Sequence, residues 1–150
     1  MAEVTAKDIM VTDVITIHEN AKLSDVVELL VANNISGVPV VDTDGNLVGI
    51  VSEADLIDQN KREWAIPRLA LFGIWKVPDR MLDDSYKEGC KLEARNVMTR
   101  KVITAKEETT LKELAHIMLS KHINRIPIMR DDKLVGIVSR TSILSGTCII

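Results

Sequence analysis

The chain has 150 residues, of which 46% are hydrophobic and only 3% aromatic, and its formal net charge is −3. This length accommodates one domain of ordinary size or two small ones, and the composition is that of a folded chain rather than a disordered one. A slightly acidic chain argues against a general nucleic-acid binder, which usually carries a basic face. The shortage of rings also removes the usual stacking platforms for single-stranded bases.

The sequence shows no recognisable targeting signal and no cluster of reactive side chains, which is typical of an ordinary intracellular protein. The N-terminal residues contain no apolar stretch behind a basic start, so no signal peptide is expected. The longest apolar run, residues 69–75, is far shorter than the roughly 18 residues that span a bilayer. Cys90 and Cys148 form no CxxC pair, and no histidine has ligand spacing with them. We therefore expect a cytoplasmic protein with free thiols, no metal and no membrane segment.

The sequence contains an internal repeat. When the chain is shifted by 88 residues, and by 87 after Gly45, 15 of 43 aligned positions are identical and ten of the other 28 exchange one apolar residue for another. Residues 47–52 match residues 134–139 without a difference. An internal repeat changes the number of domains that is inferred from length alone. We predict two copies of about 50 residues, 7–57 and 95–144, separated by an insert, 58–94.

Each copy opens with a β-rich run, residues 14–17 and 102–105, and continues into an amphipathic helix. In the second copy Thr110 and Glu113 have the spacing of a capping box, whereas Lys22 occupies the cap position in the first. The apolar stripes predicted to face the core are Leu23, Val26, Val27, Leu30 and Val31 in the first copy and Leu111, Leu114, Ala115, Met118 and Leu119 in the second.

Two apolar runs joined by a turn follow the helix in each copy. Asp44-Gly45 is a strong hairpin signal in the first copy, and residues 131–133 form a shorter turn without glycine in the second. Pro39 and Pro127 lie in the first strand of each pair, which predicts an edge or strand-start position because proline cannot donate to a ladder. A short helix led by a serine closes each copy.

The predicted fold class is α+β, with two tandem β-α-β-β-α repeats and an inserted segment. Each repeat would form a three-stranded sheet whose apolar face it cannot cover alone. We therefore expect the two repeats to pack sheet to sheet with pseudo-two-fold symmetry.

The sequences of residues 37–42, Gly-Val-Pro-Val-Val-Asp, and 47–56, Leu-Val-Gly-Ile-Val-Ser-Glu-Ala-Asp-Leu, resemble a CBS domain. Two in tandem resemble a CBS pair, also called a Bateman module. The resemblance implies a regulatory binding module and not an enzyme. Such pairs typically bind AMP, ADP, ATP or S-adenosylmethionine in clefts between the repeats, and they usually dimerise. They often regulate a protein in the same chain; here the expected target is a separate protein.

The most informative motif of this family is Gly-h-h-[Ser/Thr]-x-x-Asp, where h is apolar, and it corresponds to residues 49–55. The resemblance implies that Asp55 binds the two ribose hydroxyls and that Ser52 lies near a phosphate. A carboxylate is a pure acceptor that suits a vicinal diol, and a helix N-terminus attracts phosphate. The alternative is a helix cap, with Ser52 at N-cap and Asp55 at N3. The two roles are compatible.

The second copy departs from this motif, because Ser142 stands where Asp55 stands in the first. A hydrogen bond to a charged group contributes about 1.5–3 kcal/mol, so its loss weakens binding roughly 10- to 100-fold. We therefore predict unequal clefts. The main cleft is expected to contain Ser52, Asp55, Val102, Ile103, Asn124, Arg125, Ile126 and Pro127, and the weaker one Val14, Ile15, Gly37, Val38, Pro39, Ser139 and Ser142.

Aliphatic side chains and backbone groups around Val102, Ile103 and Ile126 are expected to hold the adenine. Arg125 suits phosphate oxygens through its planar guanidinium, although a solvated strand-edge charge is the alternative interpretation. Gly37 occupies the matching position in the first copy, which leaves the weaker cleft poorer in phosphate contacts.

All four aromatic residues, Trp64, Phe72, Trp75 and Tyr86, lie in the insert. They are expected to pack on the repeats, or alternatively on a partner, since aromatic residues are enriched at interface hot spots. The leading functional hypothesis is a dimeric adenine-nucleotide sensor. The alternative is a structural or interaction dimer whose clefts are vestigial and which scaffolds a partner protein. No phosphate loop, triad spacing or metal cluster supports an enzyme.

Overall fold

The computed structural model describes residues 3–57 and 92–147. Both cysteines and all four aromatic residues lie outside these ranges, as do the predictions made for the insert up to residue 91. The described elements of the first repeat are α1 (Ala6–Ile9), β1 (Ile17–His18), α2 (Leu23–Ala32), β2 (Gly37–Val41), β3 (Leu47–Ser52) and α3 (Glu53–Ile57). Those of the second are α4 (Ala94–Val97), β4 (Ala105–Lys106), α5 (Leu111–Lys121), β5 (Arg125–Arg130), β6 (Lys133–Ser139) and α6 (Arg140–Thr147).

This element order confirms the α+β class and the tandem β-α-β-β-α repeats. The structure adds a one-turn helix, α1 or α4, before each repeat's first strand, which the sequence pattern did not predict. The first strands are also shorter than the predicted runs, since β1 and β4 contain two residues each.

Each repeat contributes one three-stranded sheet, in the orders β1-β2-β3 and β4-β5-β6. The outer pair β1-β2 is parallel, as is β4-β5, and the hairpin pairs are antiparallel. The predicted edge position of the proline-containing strands is wrong, because β2 and β5 are central. The alternative, a strand start, is not met either, because Pro39 and Pro127 are each the third residue of their strand. Proline is tolerated there because β1 pairs only with Val40 and Val41, and β4 only with Ile128 and Met129. Both short ladders begin after the proline.

Helix α5 confirms the predicted capping box. The Thr110 backbone N–H donates to Glu113 Oε2 at 2.9 Å, and the Glu113 N–H donates to Thr110 Oγ1 at 3.2 Å. The apolar stripe is narrower than predicted, because Leu119 is 76% exposed and Val31, its counterpart on α2, is 39% exposed. The stripe that reaches the core is the i, i+3, i+7 row, which comprises Leu23, Val26 and Leu30 on α2 and Leu111, Leu114 and Met118 on α5.

Both predicted hairpins are present. In the first, Asp42 Oδ1 accepts from the N–H groups of Asp44 and Asn46 at 3.0 and 2.9 Å, and Gly45 has φ 82°. The second turn has no glycine, yet Asp131 and Asp132 have φ values of 48° and 64°. Two consecutive left-handed residues are the signature of a type I′ hairpin turn.

The chain forms two compact units whose limits differ from those of the sequence repeats. Unit 1 comprises Met1–Val14 and Ile103–Ile150, and unit 2 comprises Ile15–Val102. The opening segment of each repeat therefore belongs to the unit built mainly from the other. The buried core of unit 1 contains Ala6, Ala105, Leu114, Met118, Ile126, Ile128 and Val138; that of unit 2 contains Leu23, Val26, Leu30, Val38, Val40, Val51, Leu56, Ala94, Val97 and Met98.

The opening segments dock at matching positions in the two units. In unit 1, Val11 pairs with Ile137 of β6; in unit 2, Thr99 pairs with Ile50 of β3. Each segment also places a methionine against a strand glycine. A Cβ on Gly49 would lie 2.8 Å from Met98 Cγ, and one on Gly136 would lie 2.8 Å from Met10 Cγ, so a larger residue at either position would force the methionine to move.

Candidate functional site

Ser52 and Asp55 lie at the junction of β3 and α3, and both are half-buried. Asp55 Oδ2 accepts from the Ser52 backbone N–H at 2.9 Å and from Ser52 Oγ at 3.2 Å. The bond from the backbone N–H to the carboxylate is one half of a capping box. The helix-capping role that was the alternative interpretation of Ser52 and Asp55 is therefore present.

Thr99 completes the cluster, and the sequence pattern did not predict it. Its Oγ1 donates to Asp55 Oδ1 at 3.3 Å. The position of Thr99 is fixed by two backbone bonds with Ile50, from Thr99 N at 2.8 Å and to Thr99 O at 3.0 Å. The two oxygens of Asp55 are therefore held by two different segments of unit 2. We call Ser52, Asp55 and Thr99 the Asp55 cluster. One sequence feature could have pointed to Thr99: Met98, directly before it, recurs as Met10 in the other repeat. In the structure each of these methionines packs on a strand glycine.

The matching corner of unit 1 has the same geometry without the charge. The Ser139 N–H donates to Ser142 Oγ at 3.2 Å, and the Ser142 N–H donates to Ser139 Oγ at 3.3 Å. The two hydroxyls are themselves 3.2 Å apart, and Ser142 is buried. Val11 stands where Thr99 stands in unit 2. This corner, the Ser142 cluster (Ser139, Ser142 and Val11), therefore offers neutral groups that largely satisfy one another.

The remaining residues of the predicted main cleft fall in both units. Val102, in unit 2, is half-buried and donates its N–H to Arg100 O at 3.1 Å. Ile103, in unit 1, is also half-buried. Asn124 and Arg125 lie beside Ser139 at the start of β5, where the Arg140 N–H donates to Asn124 O at 3.1 Å and Arg125 is the register partner of Ser139.

Ile126 and Pro127 are fully buried in unit 1. The Ile126 side chain packs in the core with Leu114 and Val138. Only its backbone groups therefore remain as candidates for contact with adenine. Core packing at this point of β5 follows from strand alternation.

The residues predicted for the weaker cleft divide in the same way. Val14, Ser139 and Ser142 belong to unit 1, and the others belong to unit 2. Val14 and Ile15 precede β1, and Ile15 is 37% exposed. The remaining three, Gly37, Val38 and Pro39, are buried in β2.

A strong ion pair lies elsewhere in unit 1, at the ends of β4 and β5. Arg130 Nε and Nη2 donate to the two carboxylate oxygens of Glu107 at 2.9 and 2.6 Å. These hydrogen bonds lower the pKa of the buried Glu107 carboxyl and raise that of Arg130. The pair joins two strands and contains no predicted site residue.

A groove of about 510 Å³ runs along α5, and no predicted site residue lines it; its walls are Thr109, Lys112, Glu113, His116 and Ile117. Among the described residues, no group of three or more His, Cys, Asp or Glu side chains could hold a metal ion. Within the same ranges, no helix is both long enough and apolar enough to span a bilayer.

Comparison with known proteins accounts for this architecture. The family model of the CBS domain matches the chain twice, over residues 6–61 and 94–146. The chain therefore belongs to the CBS domain family, as a tandem pair. CBS pairs are regulatory modules that are generally not catalytic, although some are fused to catalytic domains.

Among curated proteins, MJ1426 of Methanocaldococcus jannaschii is 36% identical over 152 residues, covering 93% of this chain and 89% of that protein. Inosine-5′-monophosphate dehydrogenase of the same organism is 26% identical over 140 residues, which cover 93% of this chain but only 23% of the enzyme.

Two solved structures have the same fold. The CBS domain of a CBS domain-containing membrane protein from Sphaerobacter thermophilus is 31% identical, with a TM-score of 0.69 and coverage of 95% of this chain and 87% of that one. The CBS domain pair of protein MJ0100, solved with 5′-methylthioadenosine and S-adenosylmethionine, is 26% identical, with a TM-score of 0.72 and coverage of 96% and 95%.

Proposed function

We propose that this chain is a regulatory module that senses an adenosine-containing nucleotide, such as AMP, ADP, ATP or S-adenosylmethionine. The observation that carries the proposal is the oriented carboxylate of Asp55, held between Ser52 and Thr99 at the end of β3. It stands at the position to which the family motif assigns ribose binding. The complex of the related MJ0100 pair with two adenosyl compounds supports a ligand of this class.

The capping role of Asp55 is compatible with ligand binding. Oδ2 accepts two bonds from Ser52, whereas the bond from Thr99 to Oδ1 is long, at 3.3 Å. A carboxylate has about four acceptor positions in all, so the cap on α3 does not by itself prevent Asp55 from accepting a ribose hydroxyl. The cap then acts as an orienting bond for the ligand-binding oxygen.

The proposed site also includes residues from the second repeat. We assign the adenine to Val102, Ile103 and the backbone of Ile126 and Pro127, with Asn124 and Arg125 on the sugar or phosphate side. The second, weaker site would be formed by the Ser142 cluster together with the predicted residues of β2 and those before β1. Two neutral serine hydroxyls that bond to each other, one of them on the buried Ser142, offer less to a ribose diol than a half-buried carboxylate does.

Isothermal titration with the four ligands tests this function. Wild type is expected to bind at least one of them saturably. Asp55→Ala is expected to weaken binding by about 10- to 100-fold, because a charged hydrogen bond is lost. Ser142→Ala, the matched change in the other repeat, is expected to have a much smaller effect. Equal losses in the two variants would contradict the assignment.

A second variant separates ligand binding from loss of the helix cap. Asp55→Asn keeps an acceptor oxygen for the Ser52 N–H but removes the charge. Binding is expected to fall while the urea unfolding midpoint stays near that of wild type. If none of the four compounds binds to wild type, the proposed function is wrong, and the scaffold alternative becomes the better account.

We also propose that the chain forms a homodimer, lies in the cytoplasm and regulates a separate protein. Homodimerisation and regulation of a target protein are properties that CBS pairs usually have. Sedimentation analysis with and without ligand tests the first of these. A monomer at micromolar concentration would contradict the dimer.

A further inference from the structure

Two positively charged residues lie close in sequence to the Asp55 cluster, and they bear on which 5′ substituent, the tail of the ligand, the site would accept. Directly after Thr99, which touches Asp55, the chain carries two exposed cations, Arg100 and Lys101. We call residues 99–101 the basic segment. Because successive Cα atoms are about 3.8 Å apart, both charges are attached within two residues of the cluster.

The basic segment is held in place by several contacts. Thr99 forms two backbone hydrogen bonds with Ile50, and Met98 packs against Gly49 without room for a Cβ between them. Arg100 Nη2 donates to Arg95 O at 3.2 Å, which uses one of the five N–H donors of the guanidinium. The cations therefore start from fixed backbone positions beside the carboxylate.

The matching corner of unit 1 reverses the charge order. There the segment is Val11, Thr12 and Asp13, which is acidic, and the helix start carries Arg140 in place of Glu53. In unit 2 the helix start is acidic and the opening segment is basic. A ligand with a diol at one end and an anion a few ångströms away matches the order in unit 2.

We propose that residues 99–101 select the ligand's tail, so that this chain prefers adenosine nucleotides bearing 5′-phosphate over the sulfonium S-adenosylmethionine and the uncharged 5′-methylthioadenosine. This inference rests on the proposed function and names the ligand class of the same site. Arg100 and Lys101 are two exposed positive charges of unit 2 beside the segment that contacts Asp55, and they would attract a phosphate but repel a sulfonium. The preference would distinguish this chain from the MJ0100 pair, whose structure contains both sulfur compounds.

Competition titrations of the full chain with AMP, S-adenosylmethionine and 5′-methylthioadenosine test the inference. In wild type, AMP is expected to bind at least tenfold more tightly than either sulfur compound. The double variant Arg100→Gln/Lys101→Gln is expected to lose about tenfold in AMP affinity, equivalent to ~1.4 kcal/mol, while its affinity for 5′-methylthioadenosine is unchanged. The AMP affinity of wild type should also fall more steeply with salt than that of the variant.

Lys22→Gln is the matched control, because it removes one exposed lysine charge from the same unit outside the basic segment. It is expected to leave the AMP affinity within about twofold. Equal affinity of wild type for AMP and a sulfur compound would overturn the inference, as would an equal loss of AMP and 5′-methylthioadenosine binding in the double variant. Binding of none of these compounds would overturn the proposed function and, with it, this inference.

Discussion

Gly49 and Met98 illustrate what individual residues contribute to this fold. The sequence repeat showed that both recur, as Gly136 and Met10, but not that each pair is in contact. Contact between residues so far apart in the chain depends on where the opening segment docks, and no local pattern specifies that. The same limit explains why Thr99 was missed, while Ser52 and Asp55, which belong to one short motif, were found.

A double-mutant cycle tests the contact between Gly49 and Met98. Gly49→Ala is expected to destabilise the protein by about 1–3 kcal/mol, because the new Cβ would lie 2.8 Å from Met98 Cγ. In combination with Met98→Ala the loss should be smaller than the sum of the two single losses, as measured by urea unfolding.

Gly45→Ala provides the control for this cycle. Gly45 has φ 82°, and a Cβ at this position would have no neighbouring atom within 4 Å, so the cost of the substitution comes from the backbone alone. Its effect should add to that of Met98→Ala. Additive behaviour for Gly49 as well would show that the contact is not tight.

At the scale of elements, local chemistry predicted the caps and hairpins, whereas strand order required long-range information. The Thr110–Glu113 box and the Asp44-Gly45 turn form from residues a few positions apart, and both are present. Pro39 was expected at a sheet edge or a strand start, because proline cannot donate to a ladder. Its central strand is possible only because β1 is two residues long and pairs beyond the proline.

The ion pair between the ends of β4 and β5 predicts a pH dependence of stability. Its hydrogen bonds with Arg130 lower the pKa of Glu107 below the ordinary carboxyl value of 4.5. A carboxyl group whose pKa is lower in the folded state than in the unfolded state contributes to the free energy of unfolding. This contribution is complete when the pH is above the pKa of the unfolded state, and it is lost as the pH falls through the pKa of the folded state. Glu107→Gln should therefore be less stable than wild type at neutral pH, and the difference should shrink as the pH drops below about 4.5.

Urea unfolding at several pH values measures this difference. Glu19→Gln is the matched control, since Glu19 is the counterpart of Glu107 and Asp42 stands at the position of Arg130. Glu19→Gln removes a carboxylate that has no arginine at the matching position, so a pH-dependent change shared by both variants would not come from the ion pair. A Glu107→Gln deficit that stays constant down to about pH 3, below the ordinary carboxyl pKa, would contradict the ion-pair explanation.

At the scale of the molecule, the repeat in the sequence predicted the number and kind of structural units but not their composition. The repeats are contiguous in sequence, while each compact unit takes its opening segment from the other repeat. This exchange places Thr99, the first polar residue after the one-turn helix α4, beside Asp55. The candidate site is thus made of a motif that the sequence shows and a segment that only the fold brings to it.

The stoichiometry of nucleotide binding tests the central claim most directly. Calorimetric titration of the full chain with AMP is predicted to give about one bound nucleotide per chain, because the Asp55 cluster is charged and the Ser142 cluster is neutral. Two equivalent nucleotides per chain would contradict the inequality of the two clusters. Absence of any binding, by AMP or by the other adenosine compounds, would contradict the account of this chain as a nucleotide sensor.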